Sequence, residues 1–202
     1  LSMVKANSPL LSIATTFLTM PDLFNYWLTG EKASEFSIAT TTQCFNPLRN
    51  SWSEPLLCAM GIPTHIFPAI IPSASILGPI APWLSDQLNC GKITVVAPAC
   101  HDTGSAVAAV PASGDNYAWI SSGTWSIMGI NLPQPVINEQ SLSFNFTNEG
   151  ALGGSYRFSK NLLGLWLVQE CRRTWAAGGN EFSYTTLTEM AASAPHHLSV
   201  ID

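Results

Sequence analysis

Charge is what this sequence has least of. Charged side chains make up 10% of its 202 residues, against 47% for apolar ones. The eight Lys and Arg are scattered and the net charge is −5. No basic stripe exists, which argues against a nucleic-acid partner. An anionic ligand would have to be held by backbone amides, a metal ion or a few local donors. No C-x-x-C occurs, and the cysteine count is odd: Cys44, Cys58, Cys90, Cys100 and Cys171. Neither a disulfide framework nor a zinc site is signalled, and reduced thiols in a cytoplasmic setting are the simplest reading. Long apolar runs are missing too. "LLSIATTFLTM" is too short for a membrane span, and no signal-peptide pattern precedes it. There is no Walker loop, internal repeat or low-complexity tract. Asn145-Phe146-Thr147 matches a glycosylation sequon, with nothing else pointing to secretion. The first residue is Leu, and a fragment or processed chain is expected.

What is present suits one large domain or two small ones of mixed α/β type. Residues 1–19 read as a partly helical lead-in. "MPDLFNYWLTGEKA" predicts a helix with Pro21 near its start and Gly30 as its stop. "SEPLLCAMGI" predicts a short helix capped by Ser53, and the proline-rich run from Pro63 to Pro82 an extended or looping chain. "KITVVAPAC" is the strongest strand signal. Its β-branched run without alternation, Ile93 to Ala97, predicts burial on both faces. "GSAVAAV" predicts a helix capped by Asp102 or Thr103, and "PASGDN" a domain boundary. "YAWISSGTWSIMGI" reads as strand, glycine turn, strand, while "SLSFNFT" and "SYRFS" read as further strands. "NLLGLWLVQECRRTWAAGG" predicts a long helix with Asn161 as N-cap and Gly178-Gly179 as stop. On it, Trp166 and Trp175 read as core residues. A weaker helix follows, and His196-His197 read as exposed tail residues rather than metal ligands.

Two motifs carry chemistry. "DTGS", Asp102 to Ser105, is the signature of pepsin-like proteases, but such a site needs two aspartates sharing a proton. Asp22, Asp86, Asp115 and Asp202 are not followed by Thr-Gly or Ser-Gly, and an Ala-rich helical segment follows the motif. A protease is therefore a remote alternative. Asp and Thr at a strand-to-helix junction also serve as caps on energetic grounds alone. "SSGTWS", Ser121 to Ser126, is a glycine turn lined with hydroxyls. Gly123 would let backbone approach an anion, and Ser122 and Thr124 could donate to phosphate; an ordinary hairpin turn is the plain alternative. An Asp after a strand, followed by a Gly-Thr turn opening the next lobe, suits a two-lobed phosphotransferase.

"HDTGSAVAAVP", "ISSGTWSIMG", "NFTNEG" and "KNLLGLWLVQEC" together resemble the rhamnulokinase branch of the FGGY carbohydrate kinases. "PDLFNYWLTGEKASEFSIATTTQ" and "GIPTHIFPAIIPSASILGPI" extend the resemblance almost end to end. It implies the actin/hexokinase-type fold, with ribonuclease-H-like lobes. Residues 1–114 would be the C-terminal portion of the sugar-binding lobe, and 115–202 the beginning of the nucleotide-binding lobe. It implies ATP- and Mg2+-dependent phosphorylation of the 1-hydroxyl of L-rhamnulose. By this resemblance Asp102 is the general base. His101, Asp102, Thr103 and Asn161 contact the sugar, and Gly123, Thr124 and Gln169 the nucleotide. On one helix, Asn161 and Gln169 would lie about 80° apart in rotation and roughly 12 Å apart along the axis. Gly104 departs from the family's more usual Ala. The family's N-terminal Asp-Gly phosphate loop and Gly-rich adenine site are not found in the sequence, so the chain alone is expected to be inactive. A kinase for another ketose such as L-fuculose, or a non-catalytic partial kinase, are the alternatives.

Overall fold

The computed structural model describes residues 1–114 and 116–195. The chain forms two compact bodies. The first comprises Leu1–Ser121 and Ile127–Asn161; the second comprises Ser122–Ser126 and the chain from Leu162 onward.

The first body opens with α1 (Ser2–Lys5), α2 (Pro9–Ile13) and α3 (Met20–Thr29). As its sequence implies, α3 has Pro21 in its first turn and ends at Gly30. Next come β1 (Ser34–Glu35), α4 (Phe36–Ala39), β2 (Phe45–Asn46), β3 (Ser51–Trp52) and α5 (Glu54–Ala59). Ser53 stands at the N-cap of α5, but its side chain makes no capping hydrogen bond. The proline-rich run holds β4 (Ile70–Ile71) and β5 (Ser75–Pro79). It leads into α6 (Pro82–Leu88), β6 (Thr94–Ala97) and α7 (Asp102–Ala108). The body is completed by β7 (Ala118–Ser121), β8 (Ser126–Leu132), α8 (Glu139–Ser143), β9 (Thr147–Gly150) and β10 (Tyr156–Leu162).

Among the described residues, β1 pairs with β4 in parallel, while β2–β3 and β5–β6 are antiparallel pairs. The largest sheet has the order β7-β8-β10-β9, with β7–β8 and β9–β10 antiparallel. The predicted strand–turn–strand at "YAWISSGTWSIMGI" is the β7–β8 hairpin.

Two strand expectations are corrected. "SLSFNFT" begins as α8, because Asn138 and Ser141 form a reciprocal capping box there. Only Thr147 of that stretch enters a strand. Local side-chain bonds to the backbone outweigh the alternating pattern. β6 is not covered on both faces: Val96 is 45% exposed, and Ile93 just before it is also exposed. α3 packs on β5 and β6, and among the described residues β6 has β5 as its hydrogen-bonded neighbour.

The core of this body is built around Phe36, Leu57, Ala97, Val107, Trp119 and Tyr156, all buried. Phe36 meets Phe45 and Tyr156 edge-on, with ring centroids 5.6 and 5.5 Å away. A side chain at Gly150 would put its Cβ 2.7 Å from the Phe36 ring, so only glycine lets β9 approach α4 this closely.

The second body contains α9 (Trp166–Ala177), stopped at Gly178 as predicted, and α10 (Tyr184–Ser193). Asn161 is not the cap of α9. It lies in β10, and Leu165 occupies the N-cap. The chain turns between them at Gly164, in the left-handed region at φ +59°. Trp166 and Trp175 are not core residues either, since no residue of α9 is buried. Trp175 instead packs edge-on against Phe182.

Candidate active site

The strand-to-helix junction at Cys100–Thr103 is held from below by two buried acids. Asp22 is 1% exposed and Glu35 0%. Asp22 sits in the first turn of α3, where the helix dipole favours a carboxylate. Its Oδ2 accepts from the Thr19 hydroxyl at 2.7 Å, and its Oδ1 from the Glu35 backbone N–H at 3.0 Å. Burial pushes the Asp22 carboxyl above its usual range, against the lowering by those hydrogen bonds.

Glu35 then works as a hub. Its carboxylate accepts from the N–H of Ser37 at 2.9 Å, of Ile38 at 3.2 Å and of Cys100 at 2.9 Å. It also accepts from the hydroxyls of Ser37, at 2.6 Å, and Ser73. The Ser37 Oγ in turn accepts the backbone N–H of His101 at 3.0 Å. Two consecutive amides leading into α7 are thus tied, directly or through one hydroxyl, to a single buried carboxylate. A buried charge is tolerated only when saturated in this way. The Cys100 thiol is pushed up to about 12 by burial, then by the charges of Glu35 and Asp22. Both effects disfavour the thiolate, the nucleophilic form.

A second buried charge lies beside His101. Arg157, on β10, is 1% exposed. Its Nε donates to the Gly150 carbonyl at 3.3 Å, and its Nη2 lies 2.9 Å from Glu149 Oε2 and 3.0 Å from His101 Nδ1. Burial lowers the Arg157 pKa, while Glu149, Asp102 and Glu35 oppose that shift.

Above this scaffold, the Asp102 side chain is 95% exposed. His101, not Asp102 or Thr103, is the N-cap of α7, and no side chain closes that cap. The Asp102 carboxylate instead accepts from the Thr103 N–H at 2.6 Å, with the Thr103 hydroxyl 3.3 Å away. Its pKa is lowered, first by the Thr103 N–H and further by the Thr103 hydroxyl and the Arg157 charge, against burial, which raises it. His101, Asp102 and Thr103 therefore form one constellation, with an ionised, accessible carboxylate at its centre.

In the second body, Thr124 is exposed and its Oγ1 accepts from Gln169 Nε2 at 3.1 Å. Because that contact uses a lone pair, the Thr124 hydroxyl proton is free for another acceptor. The Gly123 and Thr124 carbonyls accept the N–H groups of Leu165 and Trp166 at 2.9 and 3.0 Å, fixing the loop on the start of α9. Gly123 does not adopt positive φ, so its backbone is ordinary and its value is lack of bulk. Asn161 and Gln169 lie on different elements, which removes the single-helix geometry expected for them. His196-His197 fall outside the described residues.

Sequence reasoning missed Asp22, Glu35, Glu149 and Arg157. A faint signal existed for two of them. Thr19-x-x-Asp22 has helix-start spacing, and Arg157 is a charge set between the aromatic residues Tyr156 and Phe158.

Residues 3–109 match the N-terminal domain of the FGGY family of carbohydrate kinases, and residues 118–202 match its C-terminal domain. The chain belongs to the FGGY family of carbohydrate kinases. It is 41% identical to a rhamnulokinase from Oceanobacillus iheyensis, over 92% of this chain and 38% of that protein. It is 39% identical to one from Bacteroides thetaiotaomicron, over 95% of this chain and 39% of that protein. The fold matches a xylulose kinase from Lactobacillus acidophilus, with a TM-score of 0.79 at 19% identity, over 96% of this chain and 38% of the other. A xylulose kinase from Rhodospirillum rubrum matches with the same TM-score at 15% identity, over 96% of this chain and 39% of the other. This FGGY-family chain thus has the mixed α/β sugar-kinase fold, and it spans about two-fifths of the length of the relatives it matches.

Proposed function

We propose that this chain is part of an ATP-dependent ketose kinase that phosphorylates the 1-hydroxyl of L-rhamnulose. Asp102 carries the proposal: an exposed carboxylate, held ionised, on a junction immobilised by buried charges. A sugar hydroxyl is a weak nucleophile. As its oxygen bonds to the γ-phosphorus and the bond to ADP breaks, its proton passes to Asp102. His101, Thr103 and Asn161 orient the sugar. Gly123, Thr124 and Gln169 meet the nucleotide, and the free Thr124 hydroxyl proton suits a phosphate oxygen. Mg2+ keeps few protein ligands and takes phosphate oxygens readily. Magnesium is therefore assigned to the nucleotide.

The same reading makes residues 1–114 part of the sugar-binding lobe and residues 115–202 part of the nucleotide-binding lobe. The two family matches, ending at 109 and starting at 118, support that division. The unpaired cysteines and the use of ATP favour the cytoplasm. No helix among the described residues is long and apolar enough to cross a membrane. At two-fifths of its relatives' length, the 202-residue chain alone is assigned no turnover. Substrate choice is tested by ADP release from the full-length protein with a ketose panel. L-Rhamnulose should give the highest kcat/KM. A higher value for L-fuculose would move the assignment to that sugar, and no release with any ketose would favour a non-catalytic role.

A further inference from the structure

We propose that Arg157, held by Glu149, locks His101 as the neutral tautomer with its proton on Nε2, making Arg157 and Glu149 positioning residues for the Asp102 site. A guanidinium has donors only and does not deprotonate in proteins. The two N–H groups of Arg157 Nη2 have two partners, Glu149 Oε2 at 2.9 Å and His101 Nδ1 at 3.0 Å. At that distance Nδ1 must present its lone pair. A proton on Nδ1 would set two donors against each other, and Glu149 Oε2, at 3.9 Å from Nδ1, is too far to compensate with a hydrogen bond. An imidazolium fails for the same reason. The ring proton therefore resides on Nε2.

That proton points toward the exposed side. Nε2 lies 3.7 Å from Asp102 Oδ1, beyond a hydrogen bond but close enough for one hydroxyl oxygen to serve both groups. Such an oxygen accepts from Nε2–H and donates to the carboxylate. The lone pair that attacks phosphorus and the proton that leaves are then oriented together. The backbone of His101 is fixed independently through Ser37 to Glu35. Arg157 is itself fixed by Glu149 and the Gly150 carbonyl. The ring orientation is thus set from two directions. This role deepens the kinase proposal and rests on it for its catalytic meaning, while the tautomer itself does not.

The test is NMR of the full-length protein carrying 15N- and 13C-labelled histidine, at neutral pH and without substrate. The His101 signals are assigned by their loss in His101→Gln. A neutral ring protonated at Nε2 is expected. A ring protonated at Nδ1, or at both nitrogens, overturns the proposal. In Arg157→Gln the lock is removed, so mixed tautomers are expected together with a kcat lower by about tenfold, in the range typical for partners that orient a functional group. The KM for ATP should be unchanged. An Arg157→Gln variant that keeps the pure Nε2–H tautomer overturns the role of the guanidinium. Because the wild-type tautomer is read without turnover, failure of the kinase assignment and failure of this one are separately visible.

Discussion

At the scale of single residues, Gly104 and Asp102 divide structure from chemistry. Gly104 creates the protease look-alike, but it sits buried in the first turn of α7, with no positive φ. A Cβ there would lie 3.4 Å from Ala99 Cβ, 3.6 Å from Ser37 Cβ and 3.7 Å from Arg157 Cζ, all ordinary contacts. Gly104→Ala should therefore stabilise the protein by about 1 kcal/mol through helix propensity, read from a higher urea midpoint at unchanged m-value. Asp102 has the opposite character, exposed and without packing. Because its pKa is lowered from the ordinary 3.8, the base form is fully present above that value and is lost only as pH falls below it. The acid limb of kcat/KM due to Asp102 should stay flat down to about pH 5. An acid limb near neutrality that vanishes in Asp102→Asn would contradict this assignment.

At the scale of elements, the junction between β6 and α7 depends on Glu35. Glu35→Ala would leave three backbone N–H groups and two hydroxyls without their acceptor. We expect a loss of about 4 kcal/mol in urea unfolding, and a smaller loss for Glu35→Gln, which keeps one acceptor oxygen. The Gly164 turn is the counterpart in the second body. A Cβ there would collide with Ser126 Oγ and come within 2.6 Å of the Gly123 carbonyl, in a left-handed backbone. Gly164→Ala should weaken nucleotide-analogue binding by about tenfold or more, through displacement of the Gly123–Thr124 loop. Elements with strong local signals were legible in the sequence: α3 with its proline and glycine, the β7–β8 hairpin, and the body and end of α9. The start of α9 was not. Asn161 is an excellent cap by residue type, but pairing within β10 claims it, and the helix begins after Gly164. α8 was hidden because its capping box is Asn with Ser rather than the more recognisable pair with Glu. The place of "HDTGS" at a strand-to-helix junction was legible as well, whereas the support of that junction was not. The bonds from Glu35 to Cys100 and from Arg157 to His101 span 65 and 56 positions, and no local pattern records them.

At the scale of the whole molecule, scarcity of charge becomes intelligible. Three of the few charged side chains, Asp22, Glu35 and Arg157, are almost fully buried and bonded around one junction. They stiffen the backbone that carries His101 and Asp102 rather than dress the surface. A carboxylate acting on a neutral sugar needs placement more than a broad electrostatic field. The most direct test of this account is ADP release by the full-length protein, comparing wild type with Asp102→Asn on L-rhamnulose and ATP, alongside binding of a non-hydrolysable ATP analogue. The account predicts ATP-dependent turnover for wild type. For the variant it predicts kcat lower by at least about 100-fold, with analogue affinity unchanged. Near-normal turnover in Asp102→Asn would contradict it.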